Sequence, residues 1–420
     1  MNEHEYDELT TQLNRALSDH AGQMAGASFG LSEVKRHARS IRRRRVGTAV
    51  VSSAAAVALL VPTVALASHR HGTTNEPTPA TQTPTPSDTV TASPDPGHQP
   101  KPGVLDVSDL PAGAPPGIEY VTGGHTLHLA DGGTVELPTR DPVSSFVALT
   151  DGSHVFLTSH HGAPFVEIED GDGGFQDPVP SGWDLAVNQA HTLAAWVRPD
   201  GQVMTWQLDA TLPLAYGDPV PAGDSLRMGA VLGDDCGPQG TCEVYVNVPD
   251  QRAQDGWQPW LVDVNGTQKY LDGAYRILAD SSESGLSIGY RSISDAGSCS
   301  VLLGGGEFQG FSTCKNTLVS FSPDDRLILA DPAYHDGIGN GVIAMYDLEG
   351  NRLFQRTSTE AAQSFYSSAQ WEDATHVLAP VFQDGRWAVV RIGSDGSMEY
   401  AVPPVAGDMD HNPFVLETRP

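Results

Sequence analysis

From Ser144 onward, short runs of alternating apolar and polar residues recur, separated by acidic or glycine-containing turns. Four stretches show this most clearly, beginning at Ser144, Trp183, Leu318 and Ser368, and each reads as strand, acidic or Asn turn, strand, Gly turn, strand. Alternation with a period of two indicates β-strands with distinct faces. Asp-Gly and Asn-Gly turns indicate hairpins, because these residues tolerate positive φ. The pattern predicts an all-β region.

The turn between the first two strands of each unit recurs at a regular spacing. Its equivalents lie near Asp151, Gln189, Asp324 and Asp373, at intervals of 38, 135 and 49 residues. The middle interval holds three periods of 45, and the 317 residues of 104–420 hold seven periods of about 45. A period in this range with four strands is typical of a propeller blade. We therefore predict a β-propeller, of seven blades, over residues 104–420.

Two units carry a resemblance to known folds. "FSPDDRLILA…MYDLEGN" and "WEDATHVLAP…VVRIGSDGS" resemble blades of WD-repeat or TolB-like β-propellers. The whole chain is similar to bacterial single-pass membrane proteins that have an Arg-rich cytoplasmic head, a Pro/Thr linker and an exported propeller. The resemblance implies scaffold or ligand-binding roles on the propeller faces and no shared chemistry.

The first blade comes out one strand short. Its sequence offers only three strands, Ile118–Thr122, Thr126–Ala130 and Thr134–Leu137, whereas the tail offers a lone strand, Phe414–Glu417. We expect the tail to complete this blade, because pairing the two ends in one sheet closes the ring and covers an edge. The alternative is a frayed tail.

An uncharged segment of 22 residues, Val46–Ala67, follows the arginines Arg42–Arg45. As a helix it would measure about 33 Å, enough to cross a hydrocarbon core of about 30 Å. We predict a single transmembrane helix over 46–67, with a short helical segment, 1–45, kept in the cytoplasm by the positive-inside rule. The alternative is a signal peptide cleaved after Ala67, which would release a secreted propeller.

Residues 68–103 differ in composition from both neighbours. The 36 residues contain eight prolines and eleven serines or threonines, with Val90 and two alanines as the aliphatic residues. Such a segment buries too little apolar surface to fold. We predict a disordered linker that holds the propeller away from the membrane.

Charge is distributed unevenly along the chain. Residues 1–67 hold 8 of the 24 basic and 6 of the 52 acidic residues, which leaves 16 basic and 46 acidic residues in 68–420, a net of −30. A surface this acidic disfavours binding to nucleic acid and to anionic lipid. It suits a soluble, monomeric domain or one that meets cationic partners.

All four cysteines lie in the predicted exported part. Cys236 and Cys242 bracket the turn-rich GPQGT, and Cys299 and Cys314 are symmetric about a glycine-rich hairpin turn. Residues facing each other in an antiparallel hairpin have a constant index sum. We predict the disulfides Cys236–Cys242 and Cys299–Cys314, as expected in an oxidising compartment.

The histidine pairs do not predict a metal centre. His125 with His128, and His160 with His161, are the pairs that could hold a metal, but His125 and His128 would point to opposite faces of their strand, which disfavours a shared ion. The acidic stretch at 169–174 lacks the trailing carboxylate of an EF-hand and reads as a hairpin turn. We expect neither a metal nor another cofactor.

One catalytic motif occurs, G-x-S-x-G at Gly285–Gly289. A nucleophile elbow needs a helix after the serine, whereas the following residues read as turn and strand. We therefore expect no enzyme and predict a binding or sensory scaffold in the cell envelope, with an envelope protein, peptide or glycan as partner. The alternative is an exported propeller-fold hydrolase or lyase.

Aromatic residues in the predicted rim loops are the candidate binding residues. They are Trp257 and Trp260 in PDQRAQDGWQPW, and Tyr334 in DPAYHDGIGNG. Exposed aromatic side chains among polar loops commonly anchor interfaces. The alternative for the two tryptophans is packing between blades.

Overall fold

A computed structural model describes residues 101–420 apart from 224, 238–239, 251–255, 270–273, 282–283, 295–296, 305–306 and 335–338. The predicted cytoplasmic segment and transmembrane helix, and the linker up to residue 100, lie outside the described residues. In the part that is described, no helix is long and apolar enough to cross a membrane. The regular secondary structure there consists of strands.

Thirty strands form within the described residues. In chain order they are β1 (Lys101–Val104), β2 (Tyr120–Thr122), β3 (Thr126–His128), β4 (Thr134–Glu136), β5 (Val143–Ala148), β6 (His154–His160), β7 (Ala163–Glu169), β8 (Val179–Pro180), β9 (Ala186–Val187), β10 (Leu193–Val197), β11 (Val203–Gln207), β12 (Leu214–Tyr216), β13 (Arg227–Leu232), β14 (Glu243–Pro249), β15 (Trp257–Asp263), β16 (Gly266–Lys269), β17 (Arg276–Asp280), β18 (Leu286–Ser294), β19 (Gly297–Gly304), β20 (Glu307–Thr313), β21 (Asn316–Phe321), β22 (Leu327–Pro332), β23 (Val342–Asp347), β24 (Arg352–Thr357), β25 (Phe365–Tyr366), β26 (Gln370–Trp371), β27 (His376–Gln383), β28 (Arg386–Gly393), β29 (Met398–Ala406) and β30 (Phe414–Leu416).

The strands form seven sheets, which are the blades of a propeller. Blade 1 is β30-β2-β3-β4, and blades 2 to 5 follow as β5 to β8, β9 to β12, β13 to β16 and β17 to β20. Blade 6 is β21 to β24 with β1 added outside it, and blade 7 is β27 to β29 with β25 and β26 both paired to β27. The predicted seven-bladed all-β fold is confirmed.

Hydrophobic side chains fill the spaces between neighbouring blades. Along β10, Ala194 and Trp196 pack against blade 2, while Leu193, Ala195 and Val197 pack against blade 4. Seven clusters of this kind join the seven successive pairs of blades, including the last to the first. Because successive side chains of a strand point to opposite faces, a strand between two interfaces must be apolar throughout.

The tail closes the ring, as predicted. β30 pairs antiparallel with β2, with Tyr120 opposite Leu416 and Thr122 opposite Phe414. The side chains of Phe414 and Leu416 are buried in the cluster between blades 7 and 1. The strand from the end of the chain therefore takes the innermost place in the first blade.

The recurring turn joins the first and second strands of its blades. Asp151, Gln189, Asp324 and Asp373 lie in the connections from β5 to β6, β9 to β10, β21 to β22 and β26 to β27. Blades 4 and 5 occupy the long middle interval and complete its three periods. The blades therefore follow one another at the predicted period of about 45 residues.

The Ser-Pro-Asp-Asp turn before β22 is held by its own side chains. Ser322 Oγ accepts from the backbone N–H of Leu327 at 2.9 Å and donates to Asp324 Oδ1 at 2.7 Å. Asp325 adopts a φ of 55°, which acidic residues tolerate better than most. These bonds reverse the chain between the two strands and explain the proline-led acidic motif.

The residues before blade 1 pack along the outer strands of blades 6 and 7. β1 runs parallel to β24, and Gly113 N–H donates to Tyr400 O at 2.9 Å on the outer strand of blade 7. Leu105 and Val107 are buried in the cluster between these two blades. The predicted boundary between linker and propeller, at 103–104, falls within β1.

Several innermost strands share one irregularity. One extra residue interrupts the pairing of β5, β13, β17 and β21 with the next strand. The extra residues are Ser144, Gly229, Leu278 and Val319, and all four line the central channel. A bulge of this kind bends a strand and redirects its side chains.

Candidate functional site

The two faces of the propeller are defined by their connections. With the strands of a blade lettered A to D from the channel outwards, the AB face carries the A–B and C–D connections. The BC face carries the B–C connections and those that lead to the next blade. Every inner strand after blade 1 therefore begins at the BC face and ends at the AB face.

The inner strands enclose a channel of about 450 Å³. Space of this size suits a small molecule or a short extended segment. Every blade contributes to the wall; one residue from each is Ser145, Asp184, Gly229, Arg276, Ser320, Gln370 and Thr418.

Charged residues stand where three successive inner strands begin, at the BC mouth of the channel. Asp184 precedes β9, Arg227 begins β13 and Arg276 begins β17. Asp184 Oδ1 accepts from Arg227 Nη1 at 2.9 Å. Burial nevertheless raises the pKa of Asp184, with Arg227 opposing the shift. The adjacent Trp183 is 38% exposed and also lines the channel.

Arg276 differs from Arg227 in its partners. Its guanidinium carbon lies 4.9 Å from the ring centroid of Trp257. Its Nε is out of contact with solvent and has no acceptor among the described residues, and it forms no ion pair with any carboxylate there. Burial lowers the pKa of Arg276 below its ordinary value. The contact with Trp257 is a cation–π interaction, and it supplies no hydrogen-bond acceptor for the buried Nε.

A carboxyl group stands at the other end of β17. Asp280 lines the channel near the AB face and accepts from Ser287 Oγ at 2.7 Å. Burial raises the pKa of Asp280 to about 7, although the bond from Ser287 opposes the shift. Asp280 therefore changes its charge near neutral pH.

Ser287 is the serine of the G-x-S-x-G match. It lies in β18, which runs from Leu286 to Ser294, and is buried. A strand rather than a helix follows the serine, so the geometry of a nucleophile elbow is absent at this position. The hydroxyl group of Ser287 instead donates a hydrogen bond to Asp280.

His125 and His128 are separated, as expected from their strand, whereas the ring centroids of His160 and His161 lie 4.1 Å apart. His128 stacks on Tyr120 with ring centroids 4.4 Å apart, and His125 Nδ1 lies 3.2 Å from Thr139 Oγ1. Within the described residues, no group of three or more His, Cys, Asp or Glu is arranged to hold a metal ion. The stretch at 169–174 is a turn in which Asp170 Oδ1 accepts from Gly174 N–H at 2.7 Å.

Both predicted disulfides are present in the structure. Cys236–Cys242 lies in the connection between β13 and β14, and its two side chains are buried between blades 3 and 4. Cys299–Cys314 joins the base of the hairpin formed by β19 and β20. Each bridge is local, as the hairpin symmetry and short spacing indicated.

The three candidate aromatic residues have different surroundings. Tyr334 is 55% exposed in the B–C connection of blade 6. Trp257 is half-buried beside Arg276, and Trp260 is half-buried against the cluster between blades 3 and 4, with Lys269 Nζ 5.6 Å from its ring. Tyr334 and Trp257 thus lie on the BC face, whereas Trp260 packs against the cluster between blades 3 and 4.

The predicted rim loops divide between the two faces. The connections after β6, β14 and β22 are B–C connections, so their described residues, which are 160–162, Asp250, Gly256, 333–334 and 339–341, share the BC face. The disulfide-bonded Cys236 and Cys242 belong to an A–B connection and lie on the opposite face. A single interface could therefore use the first three loops without the fourth.

Sequence reasoning did not identify Asp184, Arg227, Arg276 or Asp280 as site residues. Their signal was a charged residue at the start or end of a short strand that is otherwise apolar, as in RILAD. That signal does not tell an inner strand from an outer one. The channel becomes visible only when the blades are arranged in their ring.

No protein-family model matches the chain, and no curated protein sequence matches it. Solved structures that are similar to it include prolyl oligopeptidase B from Galerina marginata in its apo form, at 10% identity and a TM-score of 0.42, covering 64% of this chain and 43% of that one. The Dos1 propeller matches at 12% identity and a TM-score of 0.42, covering 68% and 74% of the two chains. Dihydro-heme d1 dehydrogenase NirN, solved in complex with DHE, matches at 14% identity and a TM-score of 0.39, covering 71% of this chain and 76% of that one. The chain thus spans less than half the length of the oligopeptidase, and none of these similarities carries a functional argument.

Proposed function

We propose that this chain is a membrane-anchored binding or sensory scaffold of the cell envelope. Residues 46–67 would form the anchor, and the propeller would lie outside the cytoplasm. The two disulfides support export, because such bonds persist in oxidising compartments. The partner would be an envelope protein, peptide or glycan.

One observation carries this proposal: aromatic and charged side chains meet at the BC mouth of the channel. Trp183 and Asp184 of blade 3 lie there with Arg227 of blade 4, and with Arg276 of blade 5 stacked on Trp257. Aromatic and arginine side chains at the rim of a concavity are the groups that most often dominate binding energy. The exposed Tyr334 extends this surface on the same face.

Capture of a partner by the immobilised full-length chain tests the proposal. Tyr334→Ala should weaken capture from an envelope extract without changing the melting temperature, because the ring is largely exposed. Trp257→Ala should weaken it as well. The matched control is Leu212→Ala, also exposed but in the C–D connection on the AB face.

Salt dependence is the second part of the test. The net charge of −30 in residues 68–420 would steer cationic partners, so capture should fall between low and physiological salt. Capture by Tyr334→Ala equal to that of the wild type would contradict the proposed surface. A Trp257→Ala protein that does not fold would assign that ring to the core.

A second candidate function, an exported hydrolase or lyase, is favoured by Asp280. A carboxyl group with a pKa of about 7 that lines a channel has the proton affinity that a general acid or base needs near neutral pH. This alternative predicts that a captured peptide or glycan is cleaved, and that Asp280→Asn abolishes cleavage while retaining capture. Capture without cleavage favours the scaffold.

The mass of the mature chain tests the anchor separately. Retention of Met1 to Ala67 supports the membrane helix. A chain that begins at Ser68 would establish the secreted alternative, with the propeller and its site unchanged.

A further inference from the structure

Arg276 is the most unusual charged group of the channel. Two other partly buried arginines contact carboxylates, Arg391 with Glu372 and Arg419 with Glu417, and Arg356 bonds to the carbonyl oxygen of Gly396. Arg276 instead contacts the face of Trp257, and among the described residues it has neither an ion pair nor an acceptor for Nε. A buried donor such as this Nε is costly without an acceptor, because it has lost its hydrogen bond to water.

The lack of a carboxylate partner for Arg276 among the described residues is unusual in a domain so rich in acidic side chains. Residues 68–420 contain 46 acidic and 16 basic side chains, so a carboxylate partner would be easy to supply. The nearby carboxylate of Asp184 is bonded to Arg227 at 2.9 Å. The group formed by Asp184, Arg227 and Arg276 therefore carries a net charge of +1 inside an otherwise acidic domain. One added negative charge would balance it.

The space beside Arg276 is open. The residue lines the channel of about 450 Å³, together with small or hydroxyl-bearing residues such as Ser145, Gly229 and Ser320. A guanidinium presents planar, paired N–H donors that match a carboxylate or phosphate. The ring of Trp257 holds the cation on one side and offers no strong acceptor to compete with a ligand.

We propose that the channel binds a small organic anion, whose carboxylate or phosphate group is held by the guanidinium of Arg276. This inference rests on the proposed binding function and names the ligand class of the same channel mouth. The anion would supply an acceptor that the described residues do not, and the three-residue group would become neutral. Binding of a macromolecular partner through Tyr334 does not require the anion.

Calorimetric titration of the full-length chain with citrate, and separately with inorganic phosphate, tests the proposal and distinguishes the two anion types. The wild type should bind at least one of the two saturably. Arg276→Gln should weaken that binding by about 10- to 100-fold, as expected for losing hydrogen bonds to a charged group. The matched control is Arg326→Gln, whose side chain is 83% exposed on a turn and should bind like the wild type.

A measurement without substitution covers the case in which Arg276→Gln does not fold. Phenylglyoxal modifies accessible arginines, and citrate or phosphate should protect Arg276 of the wild type while leaving Arg326 reactive, as read by mass spectrometry. Absence of saturable binding of both anions, equal binding by a folded Arg276→Gln, or no protection of Arg276 would each overturn the inference. If capture through Tyr334 persists in that case, the scaffold proposal stands and only the anion site is wrong.

Discussion

His154 offers a sharp test of the structure, because it joins two blades by a buried charge. It begins β6 in blade 2, and its Nε2 lies 2.8 Å from Glu119 Oε2, just before the first blade's β2. Its Nδ1 lies 3.0 Å from Glu169 Oε2, close but not aligned as a hydrogen bond. The side chain is 8% exposed. Two carboxylates therefore surround one imidazole at the AB face.

The contribution of charged His154 to the stability of the fold follows from its pKa. Burial alone would lower it, but Glu119 and Glu169 together outweigh burial and raise it from 6.5 to about 9. Each tenfold change in proton affinity corresponds to about 1.4 kcal/mol, so the charged form stabilises the fold by about 3 kcal/mol. Because the folded pKa lies above the unfolded one, this stabilisation is complete below pH 6.5. It is lost as the pH rises through 9.

The assay compares melting temperatures of the wild type and His154→Gln from pH 6 to pH 10. At pH 6 the variant should melt roughly 5 °C lower, a modest shift for a large domain. The difference should shrink as the pH rises through 9, because the wild-type imidazole then becomes neutral. His411→Gln is the control, since His411 also contacts an aspartate but is 83% exposed. A difference for His154→Gln that stays constant from pH 6 to pH 10 would refute the reasoning.

Three further predictions concern closure, the channel and the cysteines. Deleting residues 412–420 should lower the melting temperature sharply, because the innermost strand of blade 1 is removed; an unchanged melt would contradict the closure. Asp280→Asn should raise the melting temperature at pH 8, and should raise it less at pH 5.5. The reason is that a folded pKa raised to about 7 destabilises the fold progressively as the pH rises from 3.8 to 7. An unchanged melting temperature at pH 8 would contradict this destabilisation by the buried carboxylate. Mass spectrometry of a non-reduced digest should recover Cys299 joined to Cys314; free thiols at both positions would remove the main support for export.

Ring closure could be inferred from the sequence because it is a counting argument. The first blade offered three strands and the tail offered one, and a propeller leaves no inner strand unpaired. The local disulfides were equally accessible, since facing positions in a hairpin follow from its turn. Both conclusions depend on neighbours along the chain or on strand number.

The role of Trp257 and Trp260 could not be assigned in the same way. They lie three residues apart on β15, yet one contacts Arg276 of the next blade and the other packs towards the preceding one. Strand alternation predicts that such residues point in different directions. Strand alternation does not say which blade each side chain contacts, because that depends on how the blades are ordered around the axis.

By itself, the sequence determined the period, the strand pattern, the closing strand and the cysteine pairs of this protein. These features follow from side-chain alternation and turn chemistry, which act over a few residues. Only the tertiary structure decided that Asp184, Arg227 and Arg276 meet at one mouth, and that the predicted loops lie on two faces. The physical reason is that blades 3, 4 and 5 each contribute one of these charged residues, and the ring brings together positions more than 40 residues apart along the chain.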